Sequence, residues 1–328
     1  MSDTMRAVVL AAPGPASHLR VLDVPRPTAG PGQVLLKVHA FGLNRSELHT
    51  RLGLAGDAVT FPRILGIEAT GEVVAAPGNE HLVGRKAVTM MGGMGRTFDG
   101  GYAQYTVVPA GQVVPVDTSL DWARLGALPE VLQTAWGSMT TGMGLSDGDT
   151  VLVRGGTSSV GLMTALLGKR RGMTVLSTTR RADRAAALEA VGVDHVIVDT
   201  GEIAGAVRAI VPGGVDGAIE LVGAPTLRDT LRCTRVGGTV CFTGMLSNRW
   251  ILEQFYPIEF IPTGVRLTAY GGGAHDLPGE VLSDVAEAIA RGEVAWPVEV
   301  YAMDDIVRAH DDMEHDRVLA KQVVLTGV

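Results

Sequence analysis

Residues 151–161 read Val-Leu-Val-Arg-Gly-Gly-Thr-Ser-Ser-Val-Gly. A short apolar run breaks into small residues and then resumes with helical periodicity. A strand–turn–helix of this kind lets backbone approach a phosphate closely, and the unpaired N–H groups that open the helix attract its charge. The spacing Gly156-x-Ser158-x-x-Gly161 follows the dinucleotide-binding fingerprint with Ser in place of the middle Gly. The chemistry implied is retention of a pyrophosphate by Gly156, Thr157, Ser158, Ser159, Val160 and Gly161. A turn that merely closes an α/β loop has the same composition, so the following strand matters.

That strand begins at Met173 and runs into Thr178-Thr179-Arg180-Arg181. Where the ribose of NAD is bound, an acid about 20 residues beyond the glycines accepts its hydroxyls. No acid stands at this tip. Hydroxyl and guanidinium groups suit a 2′-phosphate instead, because Arg pairs bidentately with phosphate oxygens. Thr179 and Arg180 therefore point to NADP(H), while Arg181 and Arg184 read as a solvated helix start.

These residues need a scaffold, and the chain supplies material for one. Its 328 residues are 46% hydrophobic and 19% charged, with a formal net charge of −7. That length accommodates two domains, and the balance is globular. Without a basic stripe, nucleic acid is excluded as a partner. No apolar run approaches the ~20 residues of a membrane span, and the amino terminus lacks the pattern of a secretory signal. Cys233 and Cys241 read as buried small hydrophobes, and a reducing cytoplasm is the simplest setting.

Residues 5–10, 33–40 and 69–76 read as strands between Pro/Gly turns, and the region up to about 120 shows little helical periodicity. Around 120–145 the pattern turns helical. Strands at 150–154, 173–178, 194–198, 215–221, 237–243 and 265–270 then alternate with helices, which calls for a doubly wound parallel sheet. A helix over 279–291 and a strand from Lys321 rejoin the first region. The expected organisation is an α/β chain: a β-rich domain of residues 1–122 plus 272–328, and a dinucleotide-binding domain of residues 123–271.

The ordered landmarks Gly42-Leu-Asn-Arg-Ser-Glu47, Phe61 through Gly66-Ile-Glu68 to Gly71, Gly100-Gly-Tyr-Ala-Gln-Tyr105, Leu128-Pro129 through Thr134, and the glycine turn give the chain a family likeness. It resembles the zinc-independent quinone oxidoreductase branch of the medium-chain dehydrogenase/reductase superfamily. The resemblance implies a Rossmann domain inserted in a GroES-like substrate domain, and a homodimer. It places Asn44 near the nicotinamide ribose and substrate, and Thr134 near the nicotinamide amide. Gly223, then Thr243, Gly244 and Met245, end successive strands where such sheets bind ligands. Tyr270-Gly271-Gly272-Gly273 ends the last strand; it reads equally as a helix-entry turn.

Departures from the zinc-dependent relatives are informative. Asn44 stands where those relatives carry Cys, and Ile67 where they carry a ligating His. Glu68, Glu47 and His49 do not rebuild the three-ligand set that a catalytic zinc needs, so no metal is expected. Asn44 reads either as a turn residue or as a polar donor replacing the lost metal. His49 reads either as a proton donor or as a solvated histidine. Glu47 and Arg51, four apart, suggest an i,i+4 ion pair. Lys321 matches a Gly-Lys pair of the relatives, with Ala320 replacing Gly, and reads as an exposed charge.

The leading expectation is an NADPH-dependent reductase of quinones or other electron-poor conjugated carbonyls. The alternatives are an enoyl reductase of α,β-unsaturated ketones, aldehydes or thioesters, and a non-catalytic NADPH-binding protein.

Overall fold

Apolar alternation in the first forty residues produces strands before any α-helix. The computed structural model describes residues 3–328. It opens with β1 (Thr4–Leu10) and β2 (Leu19–Pro25), paired antiparallel. In β3 (Gln33–Gly42), Val34, Leu36, Val38 and Phe41 are buried. Helix α1 (Arg45–Arg51) precedes β4 (Arg63–Ile64), β5 (Glu68–Ala75), β6 (Lys86–Met90), β7 (Tyr105–Pro109) and β8 (Val113–Pro115). Helices α2 (Trp122–Leu125) and α3 (Pro129–Gly137) lead to β9 (Thr150–Arg154).

Strand and helix then alternate. They are α4 (Ser159–Arg170), β10 (Thr174–Thr179), α5 (Ala185–Glu189), β11 (His195–Val198), α6 (Ala204–Ile210) and β12 (Val215–Glu220). After them come α7 (Ala224–Cys233), β13 (Thr234–Phe242), α8 (Pro257–Phe260) and β14 (Arg266–Ala269). The chain closes with α9 (Gly279–Ala290), β15 (Val298–Ala302), α10 (Ile306–Glu314) and β16 (Lys321–Leu325).

Two compact units result: the chain through Glu130 with Gly272–Val328, and Val131–Gly271. In the first, a sheet runs β15-β16-β3-β5-β6-β8, with β7 also pairing β3, beside a small sheet β2-β1-β4. Leu36, Val38, Phe41, Val73 and Tyr102 are core residues of this unit. In the second, six strands run β11-β10-β9-β12-β13-β14, all parallel. The order reverses between β9 and β12, the switch point beside which such sheets hold ligands. Leu152, Leu176, Ala218 and Val240 carry its core under α6 and α7, which contribute Val207, Leu227 and Leu231. The chain is thus a doubly wound α/β unit with a β-rich companion.

Strands form at each expected position, although β13 already starts at Thr234. The helical stretch at 120–145 forms in pieces: Gly126 ends α2, and beyond α3 the chain widens into a π-turn over Ser138–Gly142. The region before residue 120 also holds a helix, α1, started by the Asn44-x-x-Glu47 spacing.

Candidate active site

In the first unit, a strand order with β3 between β16 and β5 brings three strand ends together. Lys321 opens β16, Glu68 opens β5 and Gly42 ends β3. The side chains of Lys321 and Glu68 meet over Gly42. A Cβ there would lie 2.2 Å from Glu68 Oε1 and 2.7 Å from Lys321 Cε, so only glycine leaves the room. Lys321 Nζ donates to Glu68 Oε1 at 2.8 Å and to Asn44 Oδ1 at 2.5 Å. Asn44 Nδ2 donates to the same Glu68 oxygen at 2.8 Å. The other oxygen, Oε2, accepts the Glu130 N–H at 2.9 Å. Lys321 and Glu68 are buried, and Asn44 keeps 9% exposure.

Below this cluster, Glu47 accepts the N–H groups of Asn44 (3.0 Å) and Ile67 (2.8 Å). Burial pushes its carboxyl up to about 7; the Ile67 N–H opposes that shift and the charge of Glu68 adds to it. The expected Glu47–Arg51 ion pair is therefore not formed. Two backbone donors hold the carboxylate instead, Asn44 at the start of the same helix and Ile67 just before β5. Arg51 is buried, donates to the Gly14 carbonyl at 2.7 Å and pairs with Glu314. Lys321 is likewise not an exposed charge, because its partners lie inside the sheet. His49 is buried on α1, which removes the solvated reading.

In the second unit the glycine turn has the geometry its composition suggests. Ser158 caps α4: its Oγ accepts the Gly161 N–H at 3.1 Å and donates to the Gly155 carbonyl at 2.8 Å. Gly155 and Gly156 donate to Thr178 on the adjacent strand. Among the described residues, the N–H groups of Thr157, Ser159 and Val160 have no partner. A Cβ on Gly156 would fall 1.8 Å from Ser177 Oγ, so that position requires glycine. Open donors at a helix start, on a closely packed glycine, fit a dinucleotide pyrophosphate.

At the tip of β10, Thr179 is 3% exposed, and its Oγ1 accepts the Arg181 N–H and donates to the Arg181 carbonyl. The hydroxyl thus shapes the turn that carries Arg180, which is exposed. Arg181 pairs with Asp183. The turn residues at the other strand ends are tied together. Thr243 and Gly244 both donate N–H to the Glu220 carbonyl. Gly223, with φ 118°, starts α7, and a Cβ on it would lie 3.5 Å from Met245 Cα. Thr243 Oγ1 is 3.0 Å from Ser138 Oγ, on the residue after α3. Thr134, on α3, donates to Gln133 Oε1 at 3.4 Å.

A second buried charge cluster lies under this turn, and the sequence reading did not find it. Arg154 ends β9. Its Nε and Nη2 hold both oxygens of Asp199 at 2.9 Å, and its Nη1 holds Asp229 at 2.5 Å and Thr230 at 3.2 Å. Glu220 accepts the N–H groups of Val222 and Gly223 and the hydroxyls of Thr226 and Thr230. Burial pushes its carboxyl up. Arg154 does carry one signal in the sequence: a lone charge between an apolar run and glycines.

Two family descriptions match the chain: an alcohol dehydrogenase GroES-like domain over residues 30–118 and a zinc-binding dehydrogenase over residues 159–287. L-threonine 3-dehydrogenase of Streptomyces avermitilis is 31% identical over 78% of this chain and 80% of its own length. The chain belongs to the medium-chain dehydrogenase/reductase superfamily. Within that superfamily it is a quinone-oxidoreductase-like oxidoreductase. Quinone oxidoreductase of Sus scrofa is 26% identical over 92% of each chain, and 2-haloacrylate reductase of a Burkholderia species is 29% identical over 74% of each. Among solved structures, AibC superposes with a TM-score of 0.87 at 29% identity, covering 98% of this chain and 96% of its own. A mycobacterial protein complexed with NADPH superposes with 0.83 at 26% identity, covering 98% and 100%.

The superfamily's zinc does not fit the residues present. Ile67 offers no donor atom, Asn44 is engaged by Lys321 and Glu68, and Glu68 is occupied by an ammonium and an amide. Among the described residues, no group of three or more His, Cys, Asp or Glu is gathered to hold a metal ion. No helix among them is long and apolar enough to cross a membrane.

Proposed function

We propose that this protein is an NADPH-dependent, zinc-independent reductase of quinones and other electron-poor conjugated carbonyl compounds. The observation that carries the reading is the Asn44–Glu68–Lys321 cluster, in which Asn44, at a position the resemblance gives to a metal ligand, offers an amide N–H instead. A zinc-dependent alcohol dehydrogenase stabilises an alkoxide with the metal's charge. An amide donor is weaker, and is suited to an acceptor that is already electrophilic and needs only its developing oxyanion held.

The Val131–Gly271 unit would hold the cofactor and the other unit the acceptor. The open N–H groups of Thr157, Ser159 and Val160 would receive the pyrophosphate. Arg180 would pair with the 2′-phosphate, with Thr179 holding its turn. Gly223, Thr243, Gly244 and Met245, with Thr134, would border the nicotinamide half. When bound, NADPH supplies the hydride. Asn44 would donate to the acceptor oxygen, and His49 is the candidate for moving a proton on the same helix. The relative solved with NADPH supports the choice of cofactor. Buried free thiols at Cys233 and Cys241 accord with a reducing cytoplasm, and the family resemblance supports a homodimer.

Reduction of conjugated alkenes is the second reading, favoured by the relative named a 2-haloacrylate reductase. Steady-state assays with NADPH and matched benzoquinones and enones test both. Turnover with the quinone at the higher kcat/KM is expected. Turnover of the enone alone would favour the second reading, and NADPH oxidation by neither would overturn both.

A further inference from the structure

Asn44 is the group on which the proposed chemistry turns, and an amide is a two-faced ligand. One end accepts hydrogen bonds and the other donates two. Its usefulness to an acceptor oxygen depends on which end it presents. In the cluster this choice is already made. Lys321, an ammonium with donors only, takes Oδ1 at 2.5 Å. Glu68, an acceptor when ionised, takes one hydrogen of Nδ2 at 2.8 Å. The reversed amide would set Nδ2 against an ammonium and Oδ1 against a carboxylate, two mismatches in a buried site. The two charges are tied to each other at 2.8 Å, and the bare Gly42 backbone leaves them space to meet.

We infer that Lys321 is a positioning residue for reduction: it fixes the sense of the Asn44 amide so that the second N–H of Nδ2 is left for a ligand. This inference rests on the reading of Asn44 as oxyanion donor. It assigns a catalytic consequence to a lysine 277 residues away in sequence from the amide it orients. It also narrows the substrate class. The position presented by Asn44 takes a carbonyl or quinone oxygen, an acceptor of hydrogen bonds, and disfavours a group that must donate there, such as an alcohol hydroxyl.

The test compares four variants in NADPH-dependent reduction of a small benzoquinone, together with NADPH affinity by fluorescence titration. Asn44→Ala removes the donor. Lys321→Met with Glu68→Gln removes the anchor on Oδ1 without leaving a charge unpaired. Glu68→Gln alone keeps that anchor, and Lys321→Arg keeps both donor and charge. The expected result is a fall in kcat of roughly a hundredfold for Asn44→Ala and for the Lys321→Met/Glu68→Gln pair, the loss typical of one misplaced oxyanion donor. KM and NADPH affinity should change little, because the contact strengthens only in the transition state. Glu68→Gln and Lys321→Arg, which keep a donor on Oδ1, should each lose less kcat than the pair.

A folded Lys321→Met/Glu68→Gln variant with unchanged kcat, beside an impaired Asn44→Ala, overturns the role of Lys321 and leaves the Asn44 reading standing. An unimpaired Asn44→Ala overturns the Asn44 reading, and the inference with it. If the paired variant does not fold, Lys321→Leu with Glu68→Gln takes its place under the same two outcomes.

Discussion

Each unit buries a cluster of opposite charges at the ends of its central strands, and the two clusters differ in what they leave unsatisfied. Around Arg154 every guanidinium nitrogen donates, both oxygens of Asp199 accept from it, and Glu220 accepts on both of its own. That arrangement knits β9, β11, β12 and α7 together. Around Asn44, the amide oxygen and one amide hydrogen are taken by Lys321 and Glu68, and Asn44 keeps 9% exposure. Beside it, Glu47 is held near neutrality on its titration curve. A saturated buried network serves the fold; one with an amide hydrogen left over is equipped to meet a ligand.

The largest expected effect separates the clusters by stability. Arg154→Met leaves Asp199 and Asp229 buried without their counter-charge, and such a break costs about 3–5 kcal/mol. Urea unfolding should show that loss, while kcat per folded molecule stays near that of the unmodified protein. A midpoint that does not move would mean the Arg154 network is not the structural cluster of the pair.

Glu47 provides the next test. Its carboxyl titrates near 7 in the folded protein and near 4.5 when unfolded, so between those values the folded state binds more protons. Stability from this group is present below about pH 4.5 and is lost as pH rises through 7. The whole difference is on the order of 3 kcal/mol. Thermal unfolding from pH 4.5 to 8 should show Glu47→Gln gaining on the unmodified protein as pH rises, then levelling. A gain in the opposite direction would place an ionised, well-paired carboxylate at Glu47.

Arg180 lies outside both clusters and should leave stability alone. Removing one charge-assisted contact costs about 1.5–3 kcal/mol, so Arg180→Ala should weaken NADPH by roughly ten- to a hundredfold and NADH hardly at all. Adding Thr179→Asp should shift the ratio further towards NADH, because a carboxylate repels the phosphate and accepts ribose hydroxyls. An unchanged ratio of kcat/KM for the two cofactors would place the 2′-phosphate elsewhere. Arg181, paired only with the exposed Asp183, should be replaceable with no measurable change in either property.

The fold was legible because its signals are local. Buried parallel strands write themselves as apolar runs such as Val151–Val153, and the glycine turn between β9 and α4 is contiguous in sequence. The Asn44 cluster was legible only in part. Asn44 and Glu68 stood out by residue type, but Lys321 reaches Glu68 from 253 residues away, and no local pattern reports that meeting. Glu47 and Arg51 had the spacing of an ion pair. Backbone donors from β5's approach and Glu314 from α10 outcompeted it. Arg154 was overlooked because its partners, Asp199 and Asp229, come from two later crossovers of the sheet.

The central claim is that a hydrogen-bonded amide, held by a buried ion pair, serves where related enzymes use a metal. Its most direct test is turnover of a small benzoquinone by NADPH before and after exhaustive chelation, with zinc counted by elemental analysis. The account predicts unchanged kcat and far less than one zinc per chain. Loss of turnover on chelation, restored in proportion to added zinc, would contradict it.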